Sequence, residues 1–423
     1  MDELTLDHLV LRYCRQVIMQ VMDHVRSRMR EENLPALKQQ VHNVHIEKSE
    51  LNPTKAIDQE AEDLIVEALR SKFVKLPGVK AYTVFSEELG IRTFPDGASE
   101  ADADLVVFVD PIDGTEFVEA LQGGWSLIAV YDRRENDVIA TVAGDIFLDR
   151  IYWASRSGYA ECLDFITHSW FRLDGGAQPK SSLAGARVNV LTTKVDRYRA
   201  LSEQTALMDA IREQDGRVNL SWGSNTIIQV AAGYADVAIE FAKGFATYDI
   251  LSGLYIGLKT GLTILDLNGN PITSKLDLDE IFAAFRKDAR HPKRTPFVAA
   301  KNPALAEQVI RLLKKHKFPG SGKLPNPGLQ LIDLSGHDAR ARPGGEGLMT
   351  NSTEGKNCNI AAPAREATFE DAEGFVRALY VGVVEFGTVL SGEPNSCPRA
   401  GINRERIAIR ASFKRDLIRH HNG

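Results

Sequence analysis

The stretch that decides the fold is Leu105-Val106-Val107-Phe108-Val109-Asp110-Pro111-Ile112-Asp113-Gly114-Thr115, an apolar run leading straight into two carboxylates. Leu105 to Val109 has the composition of a strand buried on both faces, and Thr115 to Leu121 is compatible with a helix. Pro111 restricts Asp110 to extended geometry, while Gly114 lets backbone N–H groups come close to a ligand at the helix start. A strand-to-helix turn of this kind suits a metal and phosphate site. Two acids three residues apart are equally the mark of a solvated turn that caps a helix.

Size and composition frame the choice. With 423 residues the chain is long for one core, so two domains are expected and a third element has room. Hydrophobic content of 43% and charged content of 26% are those of an ordinary globular protein, and the formal charge of −6 argues against a broad nucleic-acid-binding surface. No apolar run is long enough to span a bilayer and no signal peptide is apparent, so a cytoplasmic location is expected, with no membrane partner. Cys14, Cys162, Cys358 and Cys397 form no CxxC pair and read as free thiols.

Along the chain, Leu4 to Arg30 has the apolar spacing of an amphipathic helix, and a second helical pattern begins near Ile57 with Asp58 at its start. His42 and His45 lack a third ligand and read as surface residues. Tyr82 to Phe85 reads as a strand ending in Ser86-Glu87-Glu88, and Arg92 to Asp104 as a loop. Ser126 to Tyr131, Val138 to Val142 and Arg150 to Ala154 suggest an antiparallel sheet. Asp174 to Arg187 is the linker candidate, dividing an N-terminal α+β domain over residues 1–180 from an α/β domain over 181–317. In the second half, Thr226 to Gly233 and Ile250 to Leu258 read as helices, the latter opened by Thr247-Tyr248-Asp249. Lys243 and Glu240 read as surface residues slightly better than as pocket residues. Residues 318–423 form an extension, with a Pro- and Gly-rich stretch, an ordered pattern over Phe369 to Leu390 and a basic tail.

Taken together, Asp58 with its helix, Ser86-Glu87-Glu88, Asp110 to Thr115, Gly223-Ser224 and Tyr248-Asp249-Ile250-Leu251-Ser252-Gly253 resemble, in order, the motifs of the inositol monophosphatase superfamily of magnesium-dependent, lithium-sensitive phosphatases. The resemblance covers roughly Leu4 to Leu313. It implies a layered αβαβα sandwich combining α/β and α+β parts, with the extension added at the C-terminal side. It also implies Mg2+ held by Glu87, Asp110, the backbone carbonyl of Ile112, Asp113 and Asp249. Thr115 and Glu87 would position or deprotonate the attacking water, with Asp58 supporting Thr115, and Gly114, Thr115 and Ser224 would bind substrate. The chemistry fits this residue choice, because gathered carboxylates repel one another and hard divalent cations bound between them favour their ionised state.

The chain departs from the family pattern in three places. Pro53-Thr54-Lys55-Ala56-Ile57-Asp58 stands for Pro-Val-Thr-x-Ala-Asp, Tyr248 for tryptophan, and the segment after Thr115 is one residue shorter than in many relatives. The implied function is hydrolysis of a small phosphorylated metabolite, an inositol or sugar phosphate or 3′-phosphoadenosine 5′-phosphate; a homodimer is compatible with it. The competing reading is a catalytically weak, phosphate-binding regulatory protein that recruits a partner through the extension.

Overall fold

In the computed structural model, residues 5–31, 38–46, 48, 53–173, 178–191, 195–223, 225–289 and 292–313 are described, and these fall within one compact unit. The first half contains α1 (Leu6–Glu31), α2 (Ala56–Phe73), β1 (Tyr82–Ser86), β2 (Gly90–Phe94), β3 (Leu105–Asp113), α3 (Thr115–Glu119), β4 (Trp125–Asp132), β5 (Asp137–Asp145), β6 (Arg150–Ser155), β7 (Ala160–Asp164) and β8 (Ser169–Arg172). The second half continues with β9 (Arg187–Leu191), α4 (Val195–Ser202), α5 (Thr205–Glu213), β10 (Arg217–Ser221), α6 (Thr226–Ala231), β11 (Val237–Phe245), α7 (Thr247–Lys259), β12 (Thr263–Leu265), α8 (Leu278–Lys287), β13 (Thr295–Ala300) and α9 (Pro303–Leu312).

The strands form two sheets, ordered β2-β1-β3-β4-β5-β6-β7-β8 and β10-β9-β11-β13-β12. Alternation along β3 shows why its sequence is apolar on both faces. Leu105, Val107 and Val109 pack with Val10, Val17 and Val21 of α1 and Ile57 and Ile65 of α2, whereas Val106 and Phe108 point into a middle layer with Ile227 of α6 and Leu251 and Leu254 of α7. Phe297 and Ala299 close that middle layer from the second sheet. On the far side, Val188, Val190, Val237 and Val298 meet Leu207 and Ile211 of α5 and Leu305 and Val309 of α9. Helix, sheet, helix, sheet, helix is the resulting order of layers, the αβαβα sandwich expected from the motifs.

Strands β4, β5 and β6 are antiparallel as their spacing suggests, but β1 pairs parallel with β3, so the sheet is mixed. The loop expected over Arg92 to Asp104 begins instead as strand, because β2 is an antiparallel edge on β1 whose Ile91, Arg92 and Thr93 are partly or fully exposed. Polar residues on a solvated edge hide the strand pattern. His42 and His45 are exposed, and Cys14 and Cys162 are buried free thiols. No described helix is long and apolar enough to cross a membrane. The extension, including Phe369 to Leu390 and the basic tail, lies outside the described residues.

The tightest approach in the outer layer is α1 on β5. A Cβ placed on Gly144 would lie 2.5 Å from Ile18 Cγ2 and 2.5 Å from Met22 Sδ, both side chains fully buried. Gly144→Val therefore overpacks this contact and is expected to lower unfolding free energy by about 1–3 kcal/mol, measured by urea denaturation with an unchanged m-value.

Candidate metal centre

Parallel pairing of β1 and β3 sets Ser86 opposite Val109, so Glu87, just past the end of β1, lies beside Asp110 of β3. The Glu87 N–H donates to the Val109 carbonyl at 3.3 Å, which ties the two together through backbone. Asp249 arrives from the other half at the start of α7, where its Oδ2 accepts the Ala246 N–H at 3.1 Å. One carboxylate oxygen from each of Glu87, Asp110 and Asp249 lies within 4.8 Å of the others. Asp113 stands beside this group, past a register shift in the pairing of β3 with β4 that separates it from Asp110.

The electrostatics of the cluster follow from burial and mutual repulsion. Burial, then the charges of Glu87, Asp113 and Asp249, push the Asp110 carboxyl well above the usual range, and its buried Oδ1 has no hydrogen-bond partner. Burial and Glu87 push Asp249 up to about 7, with Arg294 opposing the shift. Glu87 is the exception. Burial would raise its pKa, but the Lys48 ammonium 3.0 Å away, helped by Arg294 and Lys243, holds it below the ordinary glutamate value. An orphaned buried carboxylate oxygen within a set of hard oxygen donors fits a divalent cation, and Glu87, Asp110 and Asp249 are the residues able to hold it.

The turn after β3 carries the remaining motif residues. Gly114 has φ +88°, a left-handed conformation that glycine adopts at no steric cost, and it starts α3. Helix α3 has only five residues, so most of its electrostatic value lies in its first free N–H groups rather than in an extended dipole. The Thr115 hydroxyl donates to Asp58 Oδ1 at 2.7 Å and approaches the Ile112 carbonyl at 3.1 Å. Asp58 Oδ2 in turn accepts the Lys55 N–H at 3.1 Å, fixing the carboxylate at the first turn of α2. Burial, then Glu88 and Glu87, raise Asp58 above its ordinary value, while the Thr115 hydrogen bond opposes this.

The second half supplies one wall. Gly223 has φ +73°, and a Cβ there would lie 2.9 Å from Asp113 Oδ2, so only glycine lets this backbone reach the acid. Trp222 stacks on Phe117 with centroids 4.7 Å apart, joining this wall to α3. Ser224 lies outside the described residues.

Three neighbours are not apparent in the sequence. Lys48 bridges Glu87 and Glu88 from a polar, proline-broken segment with no periodicity to mark it. Arg294 Nη1 lies 3.9 Å from Asp249 Oδ2 and precedes an apolar strand with nothing acidic beside it in sequence. Glu240, read as a surface residue, is 1% exposed, because its carboxylate accepts backbone N–H groups from its own loop. The exposed Lys243 agrees with the surface reading.

Comparison with known proteins bears on this arrangement. The model of the Inositol monophosphatase family matches residues 10–317. The rat 3′(2′),5′-bisphosphate nucleotidase 1 is 24% identical over 251 residues, covering 58% of this chain and 72% of the relative. Among solved structures, the extragenic suppressor protein suhB of Bartonella henselae superposes with a TM-score of 0.53 at 17% identity, over 72% of this chain and 98% of that one. A Pyrococcus horikoshii protein described as similar to inositol-1 monophosphatase gives 0.50 at 17%, over 72% and 100%.

A raised folded-state pKa at Asp249 has a definite linkage sign. An unfolded aspartate titrates near ~4, so between about pH 4 and 7 the folded protein binds a proton that the unfolded chain does not. Stability is fully present below that window and is lost as pH rises through about 7. In chelator-treated protein, urea unfolding is expected to show falling stability over this window, and a millimolar divalent cation at pH 8 is expected to restore it.

Proposed function

The chain belongs to the inositol monophosphatase family, and on that premise we propose that it is a magnesium-dependent phosphomonoesterase acting on a small phosphorylated metabolite. Family membership makes it a phosphoric monoester hydrolase. The observation that carries the metal-dependent reading is the convergence of Glu87, Asp110 and Asp249, with the orphaned Asp110 oxygen at its buried centre. In this reading Asp113 and the Ile112 carbonyl complete the ligand set. Bound there, magnesium supplies positive charge for the phosphate and leaving alkoxide and acidifies a coordinated water.

The chain's own groups do the rest. Asp58 accepts the Thr115 proton and so fixes the Thr115 oxygen with its lone pairs available to orient the attacking water. Glu87, kept ionised by Lys48, is the group able to take a proton from that water. The N–H groups at Gly114 and Thr115 are suited to the phosphate oxygens, since the first amides of a helix lack intrahelical partners. The similarity to a bisphosphate nucleotidase and the resemblance to inositol monophosphatases support small nucleotide, sugar and inositol phosphates as the substrates to test.

Phosphate release from a panel of such esters, with and without magnesium, tests the reading. Asp110→Asn is expected to abolish release while the circular-dichroism spectrum is unchanged. Thr115→Val is expected to lower kcat about 10²–10³-fold with little change in KM, as for loss of a group that positions the nucleophile. Release independent of divalent cation, or retained in Asp110→Asn, would sink the metal-assisted mechanism.

A further inference from the structure

The turn that carries Asp113 and Thr115 is fastened to its own half of the chain by few groups. Helix α3 has five residues, and Val118 is the one of them buried in the outer layer. Toward α2 it is tied by the Thr115–Asp58 hydrogen bond and by Lys55 Nζ, 3.1 Å from Glu119 Oε1. Its exit runs through Leu121, a non-glycine residue at φ +55° that is 54% exposed, and reaches Gly123 and Gly124 before β4. A helix this short does not hold its own shape, so its place depends on what packs against it.

Trp222, in the segment that joins β10 to α6, supplies a further hold from the other half. Its ring stacks on Phe117, with centroids 4.7 Å apart and an interplanar angle of 25°. One edge of the indole, from Cδ1 through Nε1 to Cζ2, spans the two glycines that bracket α3. A Cβ on Gly114 would lie 3.6 Å from Cδ1, and a Cβ on Gly123 would lie 2.7 Å from Cζ2 and 2.9 Å from Nε1. The ring therefore fits because Gly123 has no side chain. Nε1 is buried and has no hydrogen-bond partner among the described residues, so the ring is held by shape. The next residue, Gly223, brings its backbone against Asp113 at the entry to the same turn. Residues 222 and 223 thus touch the turn at Asp113, in its middle at Phe117 and at its exit.

Resting on the phosphomonoesterase reading, we infer that Trp222 is a positioning residue for the reaction: it clamps α3 and so fixes the Thr115 hydroxyl where it orients the attacking water. In this assignment the indole acts through Phe117 and the turn, without touching the reacting groups. Misplacement of such a group by about 1 Å costs up to about 10²-fold in rate.

Phosphate release by the full chain, at saturating magnesium and with the ester of the panel that is hydrolysed fastest, tests this in a double-mutant cycle. Trp222→Ala is expected to lower kcat about 10- to 100-fold and to change KM less than about threefold, with urea unfolding showing the protein folded under assay conditions. In the Thr115→Val background the same substitution is expected to cost less than about threefold, because the group it positions is gone. Trp222→Phe, which keeps a ring on Phe117, is expected to recover most of the rate. Should Trp222→Ala not fold, Phe117→Ala removes the other face of the stack and takes its place in the cycle with the same expected outcomes. A role in stability alone would lower the rate by the same factor in both backgrounds. That result, or wild-type kcat in Trp222→Ala, would overturn this inference and leave the phosphatase reading standing. No phosphate release from any ester would overturn both.

Discussion

Mutual repulsion among carboxylates is the constraint on which the rest of this molecule depends. Glu87, Asp110 and Asp249 converge within 4.8 Å, with Asp113 alongside, an arrangement that burial makes more costly than it would be in water. The fold tolerates it because the backbone, and not the side chains, brings the acids together. Glu87 and Asp110 are delivered by adjacent parallel strands in fixed register, and Asp249 by the first turn of a helix that is buried along most of its length. Lys48 and Arg294 then supply opposite charge on two sides. The result is a set of oxygen donors whose ionisation is coupled to whatever cation or anion enters the cleft.

Close backbone approach is the second theme. Gly114 turns the chain out of β3, Gly223 reaches Asp113, and Gly244 lies against the start of β13, each with positive φ. At Gly223 and Gly244 an added Cβ would meet atoms closer than 3.0 Å. The hydrogen bonds that finish the job are similarly economical: Asp58 fixes Thr115, and Glu240 gathers three amides of one bulge. The acids of the site thus divide into those whose repulsion is the point and those whose hydrogen bonds hold the frame.

Much of this was legible in advance wherever side-chain pattern and backbone demand coincide. The doubly buried run Leu105 to Val109 announces a central strand, the helical period of Leu4 to Arg30 announces α1, and the order of acidic motifs announces the family. Polar edge segments were not legible. Strands β2, β8 and β10 leave most of their residues partly or fully exposed, so they lack the alternation that marks a half-buried strand. Glu240 departs from the surface reading for the opposite reason, since nothing in a linear sequence shows that three amides of a bulge will donate to its buried carboxylate.

The sequence by itself determined the candidate site residues and their order along the chain, because oxygen ligands, a proline after the central acid and a turn glycine are local requirements written in residue type. It also determined the layering, because apolar faces on both sides of a strand require cover on both sides. Only the tertiary structure decided the electrostatic surroundings. Lys48 beside Glu87, Arg294 beside Asp249 and Trp222 over Phe117 join residues distant along the chain, and their contacts arise from strand register and a bulge that no local pattern encodes. Charge interactions depend on distance and burial, and those are properties of the packed molecule.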